Sequence, residues 1–366
     1  MRPAPYLEPT NLRGRINRPQ PKGLPVINVG FNELPYPPLE SVLQAIETAA
    51  KQGQSYGSPH CDALRDALAS RNGIDAEQIV CGNGSEELLD VVARCFARTG
   101  DEILISQYGY IQFELTTKRV GATLVKAPEV AFTSSVDALL AAVTPKTRVV
   151  FLANPNNPTG TLIPVPELHR LADGLPRHVI LVLDLAYGEF AVEGYCADVH
   201  RLVDAHENVI ITRTFSKAYG LAGLRAGWCH ASAWMIPILY AARGMGTVNA
   251  LAQAAANAVL AEQEQVDARV ATIISERTRI AGALGQLGLE VVPSHANFLM
   301  ARIRDASPQT TEKLVEHLFD QEGFIVNRTR EQGLEPFFRF SLHLPENNDR
   351  LVDCIRSFQD ARQVDP

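Results

Sequence analysis

Between Ile79 and Trp228 the sequence alternates short apolar, β-branched runs with helical patterns, and this alternation constrains the fold more than any other feature. The runs are "IVCG", "EILIS", "ATLVKA", "RVVFLANP", "HVILVLD", "NVIIT" and "AGWCH". Between them lie segments such as Glu86 to Arg98, where Leu88, Val91, Val92, Cys95 and Phe96 fall on one helical face. Strands this uniformly apolar must be covered on both faces. The expected class is therefore α/β, with a large domain built on a mostly parallel seven-stranded sheet. Ligands of such sheets gather at the carboxyl ends of the strands. A chain of 366 residues, 46% of them hydrophobic, has room for a second unit. An Ala-rich run from about Asn249 to Gly285 reads as one long helix leaving the large domain. Beyond it, "LEVV", "NFLMARI", "GFIVN" and "FFRFSL", with "TTEKLVEHLFDQ" as a helix, predict a smaller α+β C-terminal domain. The expected boundaries are an arm at 1–25, a joining segment at 26–50, the large domain at 51–250 and the small domain at 251–366.

A net charge of -7 argues against a nucleic-acid or acidic-membrane partner recognised by bulk charge. The 6 cysteines are scattered, with no C-x-x-C pair and no Cys/His set at zinc spacing, so no metal site is expected. No stretch reaches the roughly 18 uninterrupted apolar residues of a membrane span, and the N-terminus lacks an apolar signal core. A soluble, cytoplasmic protein with reduced thiols is expected. A regulator carrying a DNA-binding module would need more chain than the Pro- and Arg-rich arm provides.

The polar clusters of the large domain fall where strands should end. In "GNGSEELL", Gly84 and Ser85 would expose backbone N–H groups at a helix start, where dipole and unpaired donors favour a phosphate, although an ordinary helix cap reads the same way. It is no dinucleotide fingerprint, because Glu87 stands where the third glycine belongs, and no G-x-x-x-x-G-K-[ST] occurs. "NPNNPTG" forces a turn. Asp184 in "DLAYGEF" would stand at the edge of a dry sheet, where an unpaired carboxylate is costly. In "TFSKAYGLAGLRAGW", Lys217 and Arg225 sit among Thr214, Ser216 and small residues that allow close backbone approach. A lysine partly desolvated near another cation becomes a usable amine nucleophile. Such a set calls for a ligand with a phosphate, an aldehyde and a group that pairs with Asp184. Pyridoxal 5′-phosphate has all three.

In order along the chain, "FNELPYPP", "SYGSP", "GNGSEELL", "NPNNPTG", "DLAYGEF", "TFSKAYGLAGLRAGW", "ANFL" and "FFRFSL" resemble the fold-type I pyridoxal-phosphate aminotransferases, most closely the histidinol-phosphate aminotransferase-like branch, from about Val26 onward. The resemblance implies that Lys217 binds the coenzyme aldehyde covalently and shuttles the proton at the substrate Cα. Asp184 would hold the ring nitrogen protonated, and Tyr187 and Asn157 would hydrogen-bond the phenolic oxygen. Gly84, Ser85, Thr214, Ser216 and Arg225 would form the phosphate cup, with Tyr110 stacked on the ring. Tyr56 would cross a homodimer interface to the neighbour's phosphate, giving shared active sites. Arg339 would bind a substrate carboxylate, with Asn297 and Asn32 facing the substrate. The implied reaction is ping-pong transamination between a small-molecule amino donor, histidinol phosphate first among candidates, and an oxo acid, typically 2-oxoglutarate.

Two departures bear on the substrate. Members of that branch usually carry a second arginine after the "G-[IF]-I-V" strand, where this chain has Asn327, with Arg328 one residue later. A one-residue shift along a strand flips a side chain to the other face, so Arg328 reaches the site only if the strand ends or bulges. The branch's N-terminal Pro-Tyr also lacks a counterpart; Arg15 falls near its place and Tyr6 further upstream. A different aromatic or specialised amine, or a decarboxylase or lyase on the same fold, are the alternatives.

Overall fold

Residues 23–364 are described by the structure, a computed structural model. Tyr6 and Arg15 lie outside the described residues. The chain enters through the two-residue strand β1 (Ile27–Asn28) and helices α1 (Glu40–Ala50) and α2 (Asp62–Asn72). The apolar runs then supply β2 (Ile79–Gly82), β3 (Glu102–Ser106) and β4 (Thr123–Ala127). After a small hairpin of β5 (Glu129–Val130) and β6 (Thr133–Ser134) come β7 (Thr147–Ala153), β8 (Ile180–Asp184), β9 (Val209–Thr214) and β10 (Gly227–Ala231). Strands β2 to β4 and β7 to β10 join in one seven-stranded sheet of order β2-β10-β9-β8-β7-β3-β4. Only β10 runs against the direction shared by the other six strands.

Residues alternate between the two faces of this sheet, and both are dry. Val149 and Phe151 of β7 pack with α3 (Ser85–Phe96), α4 (Ile111–Val120) and α8 (Ile236–Ala242). Val150 and Leu152 pack with α5 (Val136–Ala141), α6 (Val165–Gly174) and α7 (Tyr195–Ala205). Two-sided burial is why these strands read as continuous apolar runs rather than alternating ones.

The Ala-rich run is two helices rather than the single one expected: α9 (Ala250–Ala261) and α10 (Gln263–Gln286). The break is at Glu262, which leaves helical dihedrals (φ -102, ψ 34) and whose N–H donates to the Val259 carbonyl at 3.1 Å. No Gly or Pro marks it. The break lets α9 lie against α1 and α2 while α10 departs toward the C-terminal sheet.

That sheet is antiparallel, in the order β11 (Leu289–Val291), β12 (Phe298–Ile303), β15 (Phe338–Ser341), β14 (Asn327–Arg328). Helices α11 (Pro308–Glu322) and α12 (Pro345–Val364) pack together beside it. "GFIVN" was expected as one strand but divides into β13 (Phe324–Ile325), parallel to β1, and β14, paired with β15. The entering segment causes the division. The Val29 N–H donates to the Ile325 carbonyl at 2.9 Å, and the Val29 carbonyl accepts from the Ser341 N–H at 2.7 Å, so residues 27–29 wedge between β13 and β15.

Candidate active site

The carboxyl ends of the parallel strands converge with the amino end of β10 on one edge of the large sheet. Asp184 is the last residue of β8 and Thr214 the last of β9, and Gly227 opens β10 opposite both Thr214 and Gly82. Gly84 follows β2 with φ +81, a left-handed conformation that glycine adopts without cost, and turns the chain into α3. A Cβ on Gly84 would lie 2.5 Å from Arg225 Nη2, and one on Gly227 would lie 2.4 Å from the Ser85 backbone nitrogen. Both positions are bare so that the start of α3, β10 and the guanidinium can close on one small volume. Its rim is completed by Ser216, whose Oγ accepts from Thr214 Oγ1 (3.0 Å) and from Arg225 Nη1 (3.3 Å). Hydroxyls, a guanidinium and the N-terminus of a 12-residue helix form a donor set suited to a phosphate.

Lys217 stands three residues beyond the end of β9, on a loop closed by the Gly220 N–H to the Lys217 carbonyl (2.9 Å) and the Leu221 N–H to the Phe215 carbonyl (2.9 Å). Its Nζ donates to the carbonyls of Phe31 and Asn32, both at 3.2 Å, and lies 5.7 Å above the Tyr187 ring. Burial, reinforced by the Arg339 charge, lowers its pKa to about 8. Asp184 is 2% exposed; Thr212 Oγ1 donates to its Oδ1 at 3.0 Å, and burial raises its pKa to about 6 despite that bond. Burial likewise raises the Tyr187 hydroxyl to about 12. An amine made less basic beside a carboxyl made less acidic is the pattern expected of reacting groups rather than of a structural ion pair.

Asn32 ties the entering segment to this centre. Its φ of +57 turns its carbonyl toward both Lys217 Nζ and Asn297 Nδ2 (3.2 Å), while its own Nδ2 donates to the Tyr187 hydroxyl at 2.8 Å. Arg339 donates through Nη1 to Asn157 Oδ1 and through Nη2 to the Gly30 carbonyl (2.9 Å), and its guanidinium lies 5.2 Å from the Phe298 ring centroid. Of the asparagines in "NPNNPTG", Asn157 alone reaches Arg339. Asn154 is spent on Ile163 and Tyr195, and Asn156 on Tyr108 and Thr159.

The tertiary structure thus brings together Asn32, Gly84, Ser85, Asn157, Asp184, Tyr187, Thr214, Ser216, Lys217, Arg225, Asn297 and Arg339, and sets Tyr110 beside the cup through its hydroxyl bond to Glu86 (2.6 Å). Two expected residues stand apart. Arg328, expected as a substrate contact, is turned away and pairs with Glu312 of α11. The register explains this correction: Asn327 lies opposite Arg339 and Arg328 opposite Phe338, so consecutive side chains take opposite faces and it is Asn327 that neighbours Arg339. Tyr56 is fully exposed on its loop.

Sequence reasoning missed Glu86, which it took for a helix-start residue, and the supports behind the site. Arg277 donates to the carbonyls of Phe190 (2.9 Å) and Ala296 (3.0 Å), tying the turn after Tyr187 to the residue before Asn297. Arg213, between Thr212 and Thr214 on the opposite face of β9, pairs with Glu189 at 2.6 Å and contacts His200 Nε2 at 3.1 Å. An arginine within a run of buried strand residues was the available signal.

Residues 25–355 match the family described as Aminotransferase class I and II. The histidinol-phosphate aminotransferase of Erythrobacter litoralis is 40% identical over 345 residues, covering 93% of each chain. That of Ruegeria pomeroyi is 40% identical over 337 residues, covering 92% of each. Among solved structures, histidinol-phosphate aminotransferase from Sinorhizobium meliloti, determined in complex with pyridoxal-5′-phosphate, superposes with a TM-score of 0.86 at 30% identity, over 91% of this chain and 90% of that one. With a strand-edge lysine, a buried carboxyl and a phosphate-shaped cup arranged in the same fold, the chain belongs to the class I and II aminotransferases.

Proposed function

We propose that the chain is a pyridoxal 5′-phosphate-dependent transaminase that moves the amino group of histidinol phosphate to 2-oxoglutarate. The observation that carries this is the placement of Lys217, lowered to about 8, just beyond β9 and of the buried Asp184, raised to about 6, at the end of the adjoining strand β8, near an anion cup. The coenzyme fits the residues present. Asp184 is a buried acceptor suited to a cationic ring N–H, the bare α-carbons of Gly84 and Gly227 let Arg225, β10 and the start of α3 draw their donors together, and the buried Oδ1 atoms of Asn32 and Asn297 have no partner among the described residues.

When bound, the coenzyme supplies an aldehyde that captures amines and a ring that withdraws electrons from the substrate Cα. Lys217 Nζ, partly neutral near pH 8, would be the amine that holds that aldehyde and the base placed to move the proton at the substrate Cα. Asp184, the buried acceptor, would hold the ring nitrogen in its protonated form. Tyr187 accepts from Asn32 and so has its own O–H to donate to the phenolic oxygen; Asn157 Oδ1 is taken by Arg339, which leaves its Nδ2 for the same oxygen. The first backbone N–H groups of α3, Thr214, Ser216 and Arg225 would hold its phosphate, with Tyr110 the aromatic residue that would lie against its ring. Arg339 receives the anionic end of the substrate, and Asn297 and Asn32 line its path.

Activity requires a homodimer in this proposal, with Tyr56 reaching the partner's cup. The full exposure of Tyr56 and the exposure of Phe31 (58%) and Met245 (93%) support a covering partner. The 6 free cysteines suit a reducing cytoplasm, and among the described residues no helix is long and apolar enough to cross a membrane.

One observation favours a second donor class. Asn327 is uncharged and, in the amide orientation that satisfies both its ends, accepts from Arg339 Nη2 at 3.2 Å. With Arg328 turned away, a single carboxylate suits this end of the site as well as a phosphate does, which admits an amino acid as donor. Adding amines one at a time to reconstituted protein and following the visible band of lysine-bound coenzyme tests both. Histidinol phosphate should bleach the band and 2-oxoglutarate restore it, and Lys217→Ala should never show it. Bleaching by an amino acid but not by histidinol phosphate overturns the substrate. Release of carbon dioxide without glutamate overturns transamination.

A further inference from the structure

Glu86 is out of place in an anion site. It is the second residue of α3, where an acid ordinarily complements the helix dipole. Its neighbour already does that work: Glu87 Oε2 accepts from the Asn83 N–H at 2.6 Å, closing the turn into the helix. Glu86 faces the other way. Its Oε1 accepts the Tyr110 hydroxyl at 2.6 Å, and its Oε2 lies 3.3 Å from Arg225 Nη2. That same guanidinium is drawn over Gly84 and held through Nη1 by Ser216 Oγ (3.3 Å) and the Ala222 carbonyl (3.2 Å). One carboxylate therefore bridges the aromatic residue beside the cup and the cation within it. Its charge is also felt deeper in the site, where it opposes ionisation of Tyr110 and Asp184.

We propose that Glu86 is a positioning residue that fixes the Tyr110 ring through its hydroxyl and, by engaging Arg225, moderates the grip of the cup on a phosphate. The proposal rests on the coenzyme assignment above and deepens it. Its two parts separate chemically. Glutamine keeps an oxygen acceptor for the Tyr110 hydroxyl and removes the charge, whereas alanine removes both.

Coenzyme-free protein titrated with pyridoxal 5′-phosphate, with pyridoxal, and with inorganic phosphate as competitor reads the first part. Glu86→Gln should tighten binding of the two phosphate-bearing probes by about two- to fivefold, the scale of a half-exposed charge pair, and leave pyridoxal unchanged. Unchanged or weaker phosphate binding in Glu86→Gln overturns this part. So does an equal gain for pyridoxal, which would mean a general packing effect. Circular dichroism of the bound coenzyme reads the second part. Glu86→Ala and Tyr110→Phe should reduce the signal alike, the double variant should reduce it no further, and Glu86→Gln should retain it. Additive losses in the double variant, or loss in Glu86→Gln, overturn the positioning role. If the unaltered protein binds no pyridoxal 5′-phosphate, the coenzyme assignment itself fails. Binding with no difference among the variants sinks only the role of Glu86.

Discussion

Replacing Asp184 by Asn should stabilise the coenzyme-free protein while impairing it as an enzyme. In the folded chain the carboxyl is 2% exposed, has the Thr212 hydroxyl as its side-chain donor, and titrates at about 6 against an ordinary value of 3.8. A folded-state value above the unfolded one means that the native chain holds the proton longer. The carboxyl's favourable contribution is therefore complete below about pH 4 and is lost as pH rises through 6. A rise from 3.8 to about 6 corresponds to about 3 kcal/mol, at about 1.4 kcal/mol per tenfold change in proton affinity. Asparagine is never charged and retains an oxygen to accept from Thr212, so it escapes that loss. Urea unfolding of the two coenzyme-free proteins, followed through Trp228 and Trp234, should give similar stabilities near pH 4. The curves should diverge between pH 4 and 7, to a plateau near 3 kcal/mol in favour of Asp184→Asn. Parallel curves, or a variant less stable at pH 8, would refute the claim that desolvation dominates at Asp184. Such a stability cost in the resting protein is common at sites shaped for a ligand.

Further consequences concern the cup, its support and the substrate end. Gly227→Ala places a methyl 2.4 Å from the Ser85 nitrogen and 2.6 Å from the Gly84 carbonyl carbon, both backbone atoms. It should cost about 1–3 kcal/mol of stability and weaken pyridoxal 5′-phosphate more than pyridoxal in binding titrations; equal weakening would place the damage outside the cup. Glu189→Gln strips the buried Arg213 of its ion-pair partner and should cost about 3–5 kcal/mol of unfolding free energy in denaturant titrations, and a loss under 1 kcal/mol would show that His200 and the Trp228 ring, 5.6 Å from the guanidinium, suffice to hold Arg213. Arg328→Ala breaks only a partly exposed pair with Glu312, so stability should change by about 1 kcal/mol or less. The KM for a phosphorylated donor should stay the same, and a tenfold rise would return Arg328 to the site.

Much of this was legible in the chain because it is locally encoded. Six of the seven strands announced themselves by apolar runs, since two-sided burial leaves no polar face to interrupt them, and the edge strand β4, with Thr123 and Lys126 exposed, by a shorter one. The clusters at Gly84, Asn157, Asp184 and Lys217 pointed to one edge of the sheet, where the structure brings them together, since polar and small residues straight after a dry strand have few other reasons to be there. The break at Glu262 and the division of "GFIVN" were not legible. No residue at either point forbids continuation; the chain turns because α9 has α1 and α2 to lie against, and because residues 27–29 compete for the edge of β13.

At the substrate end, only the register of β14 against β15 decided that Asn327 faces Arg339 while Arg328 faces α11. Likewise, an acid at the start of a helix has one meaning in sequence, and packing alone gave Glu86 and Glu87 different partners. Composition and spacing determined the layers, the reacting edge and the amine with its carboxyl. Which side chains meet across distant segments depended on pairing register and helix placement, because those contacts join residues whose separation along the chain carries no local signal.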